Sequence, residues 1–341
     1  MSVIIPTYNR AHFITDAMDS VWNQTYRPIE LIVVDDGSTD DTSEVVEKWC
    51  QICKDDKQFQ VRHLHQSNKG PPAARNLGLI ASRGEYIQYL DSDDILGRAK
   101  IAANVAALVK GGISKAAYSP WKLFRATEDA KYAISAASRG IDGSCVLSQW
   151  IKGSFIPPHA ILWRRETVRQ LGPWHETSFR NDDGEYACRF MILGGRFEFC
   201  PRGCVYYRRE GADHISSERT SAAARARLRA AKRLQNMLGR RDMLTRNMRR
   251  ALACHYFRIA RSAAESDRKA AMECFRRILR LRIGHPAGMI ARIIGARATV
   301  HLTAQAMRLL WTYRRVMGGT SFKAERHVTT VRDLMSSEDV N

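Results

Sequence analysis

The sequence has no run of 18 or more uncharged apolar residues, so no membrane-spanning helix is expected. It opens on MSVIIPTYNR, where about four apolar residues precede a proline, too short a core for a secretory signal. Cysteine is sparse, 8 in 341 residues, which excludes a disulfide scaffold. Cys50 and Cys53 (WCQIC) and Cys200 and Cys204 (CPRGC) have spacings that zinc sites use. The first pair lies in a helical run, the second beside a strand, and neither has a histidine at ligand spacing. Reduced packing cysteines in a cytoplasmic protein are the expectation. No internal repeat is present.

Acidic residues are also in short supply, and their shortage is local. The chain carries 54 Lys/Arg against 35 Asp/Glu, a net charge of +19. Residues 220–341 hold 26 basic and 8 acidic side chains, which leaves 28 and 27 for residues 1–219. A nearly neutral region is followed by a strongly basic one, and the first domain boundary is drawn there. The length suits about two domains.

The neutral part alternates strand and helix. SVII (2–5) is a β-branched run stopped by Pro6, and Phe13, Ile14, Ala17, Met18 and Val21 follow at helical spacing. IELIVVDD (29–36) reads as a buried strand, TSEVVEKWCQI as a helix and FQVRHLH (59–65) as a strand. PPAARNLGLIAS (71–82) is a helix with proline in its first turn, and EYIQYL (85–90) another strand. Such alternation predicts an α/β layer with mainly parallel strands, which binds ligands beyond the carboxyl ends of its strands. Tyr8, Asp36 and Asp91–Asp94 all fall there. AAYSPWKLFR and HAILWRRE read as further strands, NDDGEYACRFMILGG as a helix and CVYYRRE as a late strand. From 220 onward helix dominates, broken at Gly284–Pro286 before a last stretch to about 317.

In GEYIQYLDSDDILG, Asp91, Asp93 and Asp94 crowd the end of a strand. Like charges this close repel unless something positive lies between them. A helix start accounts for one or two of them, with Asp94 as a candidate cap; the third needs a partner.

SVIIPTYNR (2–10), LIVVDDGSTDDT (31–42), AARNLGLIASRGEYIQYLDSDD (73–94) and DDGEYACR (182–189) occur in this order and spacing. Together they resemble family 2 of the glycosyltransferases, nucleotide-sugar enzymes with the GT-A fold, over about residues 1–215. The resemblance implies an α/β GT-A fold over 1–219, with a nucleotide-binding part to about 110 and an acceptor part from 111; it says nothing specific about the mostly helical basic region at 220–341. It implies that Asp91-Ser92-Asp93 is the family's D-x-D, with Asp93 and Asp91 holding Mn²⁺ or Mg²⁺ against the donor's diphosphate. Hard oxygen ligands suit those ions. Asp36 matches the acid that accepts a hydrogen bond from the donor's base, with Asp35 or Asp40 as rivals. Pro6, Thr7 and Tyr8 match the wall against the base, and Arg75 an arginine near the diphosphate. Asp183, six residues before Arg189, matches the base of an inverting transfer, with Asp182 and Glu185 competing for that role. His214 is read as a solvated loop residue.

Family members that polymerise processively carry Q-x-x-R-W and transmembrane helices; this sequence has neither, so a non-processive transfer is expected. The implied reaction moves one sugar from a nucleoside-diphosphate sugar, UDP-linked by the match at Asp36, to a glycan or lipid-linked acceptor in bacterial-type cell-surface polysaccharide synthesis. The basic region predicts an anionic membrane surface as partner and a location at the inner face of the plasma membrane. Homo-oligomer contact is a second use for it. Nucleic acid is a third, against which stand the lack of a recognised module and the small number of aromatics for stacking. The alternative to an enzyme is a nucleic-acid-associated or catalytically inactive transferase-like binding protein.

Overall fold

The computed structural model describes residues 1–111, 116–126, 132–135, 146–178, 182–209, 220–282 and 324–328. In chain order these form β1 (Ser2–Thr7), α1 (Ile14–Trp22), β2 (Ile29–Asp35), α2 (Thr42–Ile52), β3 (Phe59–His65), α3 (Pro71–Ala81) and β4 (Tyr86–Tyr89). There follow β5 (Ile95–Leu96), α4 (Lys100–Lys110), β6 (Ala116–Tyr118), β7 (Trp121–Ala126), β8 (Tyr132–Ser135), α5 (Val146–Lys152) and β9 (Ile161–Arg164). Next come α6 (Arg165–Leu171), α7 (Asp182–Ile192), β10 (Phe197–Phe199) and β11 (Val205–Arg208). The basic region supplies α8 (Ser221–Arg240), α9 (Arg246–Ala263), α10 (Arg268–Arg280) and β12 (Ala324–Val328).

Seven strands make the main sheet in the order β10-β6-β9-β4-β1-β2-β3, and β9 alone runs antiparallel to its neighbours. The chain first steps outward from β1 to β2 and β3, then α3 carries it back to β4 on the other side of β1. That reversal opens a crevice at the carboxyl ends of β1 and β4, where open α/β sheets take their ligands. A second sheet, β12-β8-β7-β11-β5, joins through short strands. Its β11 lies beside β5, just past the aspartates.

Central strands are apolar on both faces because helices cover both: Val3, Ile4, Ile5, Leu31, Ile32, Val33 and Val34 are all fully buried. At Gly78 of α3 a Cβ would stand 2.4 Å from Cγ2 of Ile4, so helix and strand approach closer than any side chain allows. One hydrophobic core runs from β1 to α10 and takes in Leu228 and Leu234 of α8 and Tyr256 of α9. The change of charge at 220 therefore coincides with no break in the core.

Three sequence expectations are corrected. β1 does not stop at Pro6 but runs to Thr7; β4 pairs only with Ser2–Ile4, so no neighbour misses the proline's absent N–H. HAILWRRE is strand only to Arg164 and turns into α6. AAYSPWKLFR is two strands, in different sheets, broken at Ser119–Pro120. No helix among the described residues is long and apolar enough to cross a membrane. The helical stretch expected to about 317 and His214 lie outside the described residues.

Candidate active site

A cavity of about 490 Å³ occupies the crevice. Pro6, Thr7 and Tyr8 line it from the end of β1, Asp36 from the end of β2, and Arg75 from α3. Asp91, Ser92 and Asp93 enter from the end of β4, Asp182 and Asp183 from the start of α7. Pro6, Thr7, Tyr8, Asp36, Arg75, Asp91, Ser92, Asp93 and Asp183, the residues matched to the family's site, thus line one cavity. Its size is that of a pocket for a ligand the bulk of a nucleotide sugar.

Local geometry explains the convergence. After β2 the chain turns at Gly37, whose φ is +79° and where a Cβ would sit 3.0 Å from the Asn68 backbone nitrogen. Only glycine tolerates both. Asn9 locks the neighbouring turn: its Oδ1 accepts from the Thr39 N–H at 2.8 Å, and its own N–H donates to Ser38 Oγ at 3.0 Å. Asp36 is buried, and its carboxylate accepts from Gln66 Nε2 (2.7 Å), Lys69 N (2.8 Å) and Gly70 N (2.7 Å). It fastens the loop that leads into α3 and keeps a lone pair for a ligand donor. Asp35 faces away, bound by the Ser38 N–H and the Ser43 hydroxyl. Tyr8 is 43% exposed at the rim, so it is not a core residue.

Arg75 is 5% exposed and no surface helix charge. Its two terminal nitrogens reach Asp91 Oδ1 at 2.7 Å and Asp182 Oδ2 at 2.5 Å, and its guanidinium lies 4.8 Å from the centre of the Trp174 ring. A planar fork with donors on both prongs is what such a bridge requires. It joins the β4 aspartates to α7.

The three acids that begin α7 are sorted by their partners. Asp182 is held by Arg75. Glu185 is buried and receives Arg189 Nη2 at 3.0 Å, while Arg189 also donates to the Leu171 and Pro173 carbonyls. Among the described residues, Asp183 has the Gly184 N–H, at 2.7 Å, as its hydrogen-bond partner. Burial and the negative charge of Asp182 push its carboxyl up to about 6, against the pull of that N–H and of Arg75. A carboxylate so placed suits proton abstraction near neutral pH.

At the end of β4, burial and the charges of Asp94 and Asp91 push Asp93 up to about 7, with Arg10 opposing. Arg10 Nε is 3.9 Å from Asp93 Oδ2. Asp94 is not a helix cap: α4 begins only at Lys100. Asp94 is fully buried, accepts from the Arg208 N–H at 2.8 Å, and has Oδ2 2.8 Å from Nδ1 of the equally buried His159. Arg208 also donates to the Asp93 carbonyl and to Asp16, each at 2.8 Å, so β11 braces the aspartate turn from behind. The ligand atoms of Asp91, Asp94 and His159 lie within 4.8 Å of one another. Crowded oxygen donors, with burial and their neighbours' charges pushing the carboxyls of Asp93 and Asp94 up, fit a divalent cation. His159, Arg208, Arg10, Tyr207 and Trp174 were not found by sequence reasoning. The cysteine pairs join no metal-binding cluster among the described residues.

Comparison with known proteins agrees with this layout. The crystal structure of Staphylococcus aureus TarS 1–349 with UDP-GlcNAc superposes with a TM-score of 0.61 over 89% of this chain and 91% of that one, at 19% identity. A mannosyltransferase from Pyrobaculum calidifontis, solved with GDP-Man and Mn²⁺, gives 0.52 over 99% and 85%, again at 19% identity. An uncharacterized glycosyltransferase of Rickettsia felis is 48% identical over 101 residues, which are 30% of this chain and 16% of that protein. The chain thus matches about a fifth, or less, of the length of the Rickettsia relatives. The profile of Glycosyl transferase family 2 matches residues 2–172, half of the chain. With the GT-A arrangement of its main sheet, the chain belongs to glycosyl transferase family 2.

Proposed function

We propose that the protein is a metal-dependent, inverting glycosyltransferase that moves one sugar from a nucleoside-diphosphate donor to an acceptor hydroxyl. The observation that carries this reading is the sorting of the α7 acids. Of the three acids that begin α7, Asp182 and Glu185 are paired with buried arginines, and Asp183 lines the cavity together with Asp91 and Asp93. An inverting transfer needs a base on the face opposite the departing diphosphate.

In this reading the base of the nucleotide lies between Tyr8 and Asp36, whose remaining lone pair accepts an N–H such as N3–H of uracil. Pro6 and Thr7 offer backbone groups at the same wall, and Ser92 lies beside the sugar. Asp91 and Asp93 hold the cation, with Asp94 and His159 as the buried wall behind them. When bound, the ion supplies Lewis acidity that stabilises the leaving diphosphate. Arg75 adds positive charge to the same floor and keeps Asp182 from competing for the acceptor proton. Asp183 takes that proton as the acceptor oxygen attacks the anomeric carbon, the glycosidic C–O bond forms, and the bond to the diphosphate breaks with its electrons.

The acceptor is a glycan or lipid-linked hydroxyl of the kind used in cell-surface polysaccharide synthesis. Residues 220–341, with their excess of 26 basic over 8 acidic side chains, dock on an anionic membrane surface at the cytoplasmic face. A catalytically inactive subunit is disfavoured because Asp91, Asp93 and Asp183 meet in one cavity. The test is product analysis by proton NMR with α-linked donors and alkyl glycoside acceptors. A β-linked product, absent with Asp183→Asn, is expected; an α-linked product, or unchanged turnover by Asp183→Asn, would overturn the reading.

A further inference from the structure

β3 is the edge of the main sheet and ends in His63-Leu64-His65. Residues two apart on a strand share a face. The parallel register sets His65 beside Asp35 and His63 beside Val33, so Asp35, His63 and His65 all project from one face. That face is the one α2 covers, since the Ser43 hydroxyl of α2 donates to Asp35 Oδ2. The two imidazole rings have centroids 4.1 Å apart, and His65 Nδ1 lies 3.9 Å from Asp35 Oδ2. Ligand atoms of all three residues fall within 4.8 Å of one another.

An ordinary ion pair between Asp35 and a protonated His65 leaves half of this unexplained. It has no use for His63, whose Nε2 is buried and has no hydrogen-bond partner. Burial, followed by the neighbouring His65, holds the His63 ring below its usual range, so it is a neutral imidazole with a free lone pair. Burial works against ionisation of Asp35, but hydrogen bonds from Ser43 and Ser38 outweigh it and keep the carboxylate anionic. Glu47, one turn after Ser43 on α2, adds negative charge acting on His63. Two imidazoles, a carboxylate and an open side towards solvent make a donor set that suits a borderline transition ion and is poor for Mg²⁺.

We propose that Asp35, His63 and His65 form a second metal site, for Zn²⁺ or an ion of its class, on the α2 side of β3 and separate from the aspartates at the end of β4. Tetrahedral ligands about 2.1 Å from zinc stand about 3.4 Å apart, so the three side chains draw in by about 1 Å. His65, with its side chain 55% exposed, can do so by rotation. Asp35 Oδ1 also receives the Ser38 N–H at 2.8 Å, so an ion here ties the ends of β2 and β3 to the turn that follows Asp36.

The test is Zn²⁺ binding to tag-free full-length protein, read by competition with a chromophoric chelator, with Co²⁺ substitution reporting four-coordinate geometry through visible d–d absorption. The variants are His65→Ala, which is exposed and leaves the core intact, and Asp93→Ala, which disables the other cation site. One equivalent of Zn²⁺ is expected on wild type and on Asp93→Ala, with at least a tenfold loss of affinity in His65→Ala and loss of its Co²⁺ band. Equal affinity in wild type and His65→Ala would overturn the proposal. So would loss of the ion in Asp93→Ala, or no uptake by wild type at micromolar Zn²⁺.

Discussion

Replacing Arg75 by methionine removes the charge that two carboxylates share and keeps most of the side-chain volume. Both partners are hydrogen-bonded to it, Asp91 at 2.7 Å and Asp182 at 2.5 Å, and the arginine side chain is 6% exposed. Breaking a buried ion pair by deleting one member costs about 3–5 kcal/mol, because the remaining charge is stranded. Asp91 is 30% exposed and recovers some hydration, which places the expected loss towards the lower end, about 3 kcal/mol. Arg75→Lys keeps the charge but not the fork, and should lose about half as much. Urea unfolding at pH 7 measures both, with Arg169→Met as the control. Arg169 is 75% exposed beside an exposed Glu166, so its loss should stay within about 0.5 kcal/mol. A loss below about 1 kcal/mol in Arg75→Met would refute the view that Arg75 holds the acidic floor together. The same variant also tests the electrostatics, since Arg75 is among the groups that hold the Asp183 carboxyl down. Removing it should shift the acid limb of the activity profile to higher pH.

Two other outcomes follow from named groups. With Asp183 pushed up to about 6, its base form is present above that value, so turnover should fall as pH drops through about 6 and level off above it. Asp183→Asn should abolish that limb and lower kcat by about 10²–10⁴, read in a steady-state pH series. Asp267 caps α10 through the Ala270 N–H (2.9 Å) and also binds Ser221 Oγ (2.7 Å) and Arg225 Nε (2.6 Å) of α8. Asp267→Ala should cost about 1–2 kcal/mol by loss of the cap. Those bonds hold its carboxyl below the usual range, so the contribution is present above about pH 4 and fades as pH falls further, which denaturation at pH 7 and pH 3 would show.

Much of the nucleotide-binding half was legible because its signals are local. A continuous apolar run gave β2, strand-like alternation gave β4, and the prolines at 71 and 72 marked the start of α3. The partners of charged residues were not legible, because they are set by contacts distant in the chain. Asp94 suits a helix cap by residue type, yet His159 and Arg208 lie far along the chain, and Arg208 reaches it only when β11 joins β5. Arg75 was matched to an arginine near the diphosphate, but its bridge from Asp91 to Asp182, 107 residues on, has no local signal. The edge histidines of β3 were read as strand alone, since alternation reveals a shared face but not Asp35 beside it. Pro6 misled by obeying a rule whose exception, a strand whose neighbour ends early, is invisible in one dimension.

The central claim is that the cavity binds a nucleoside-diphosphate sugar through a cation held at Asp91 and Asp93. Isothermal titration with UDP-, GDP- and dTDP-sugars, with and without Mn²⁺, on wild type and Asp93→Ala tests it most directly. Binding of one nucleotide class, dependent on Mn²⁺ and lost in Asp93→Ala, is the predicted result. Binding that ignores both the ion and the substitution, or no binding of any donor, would contradict it.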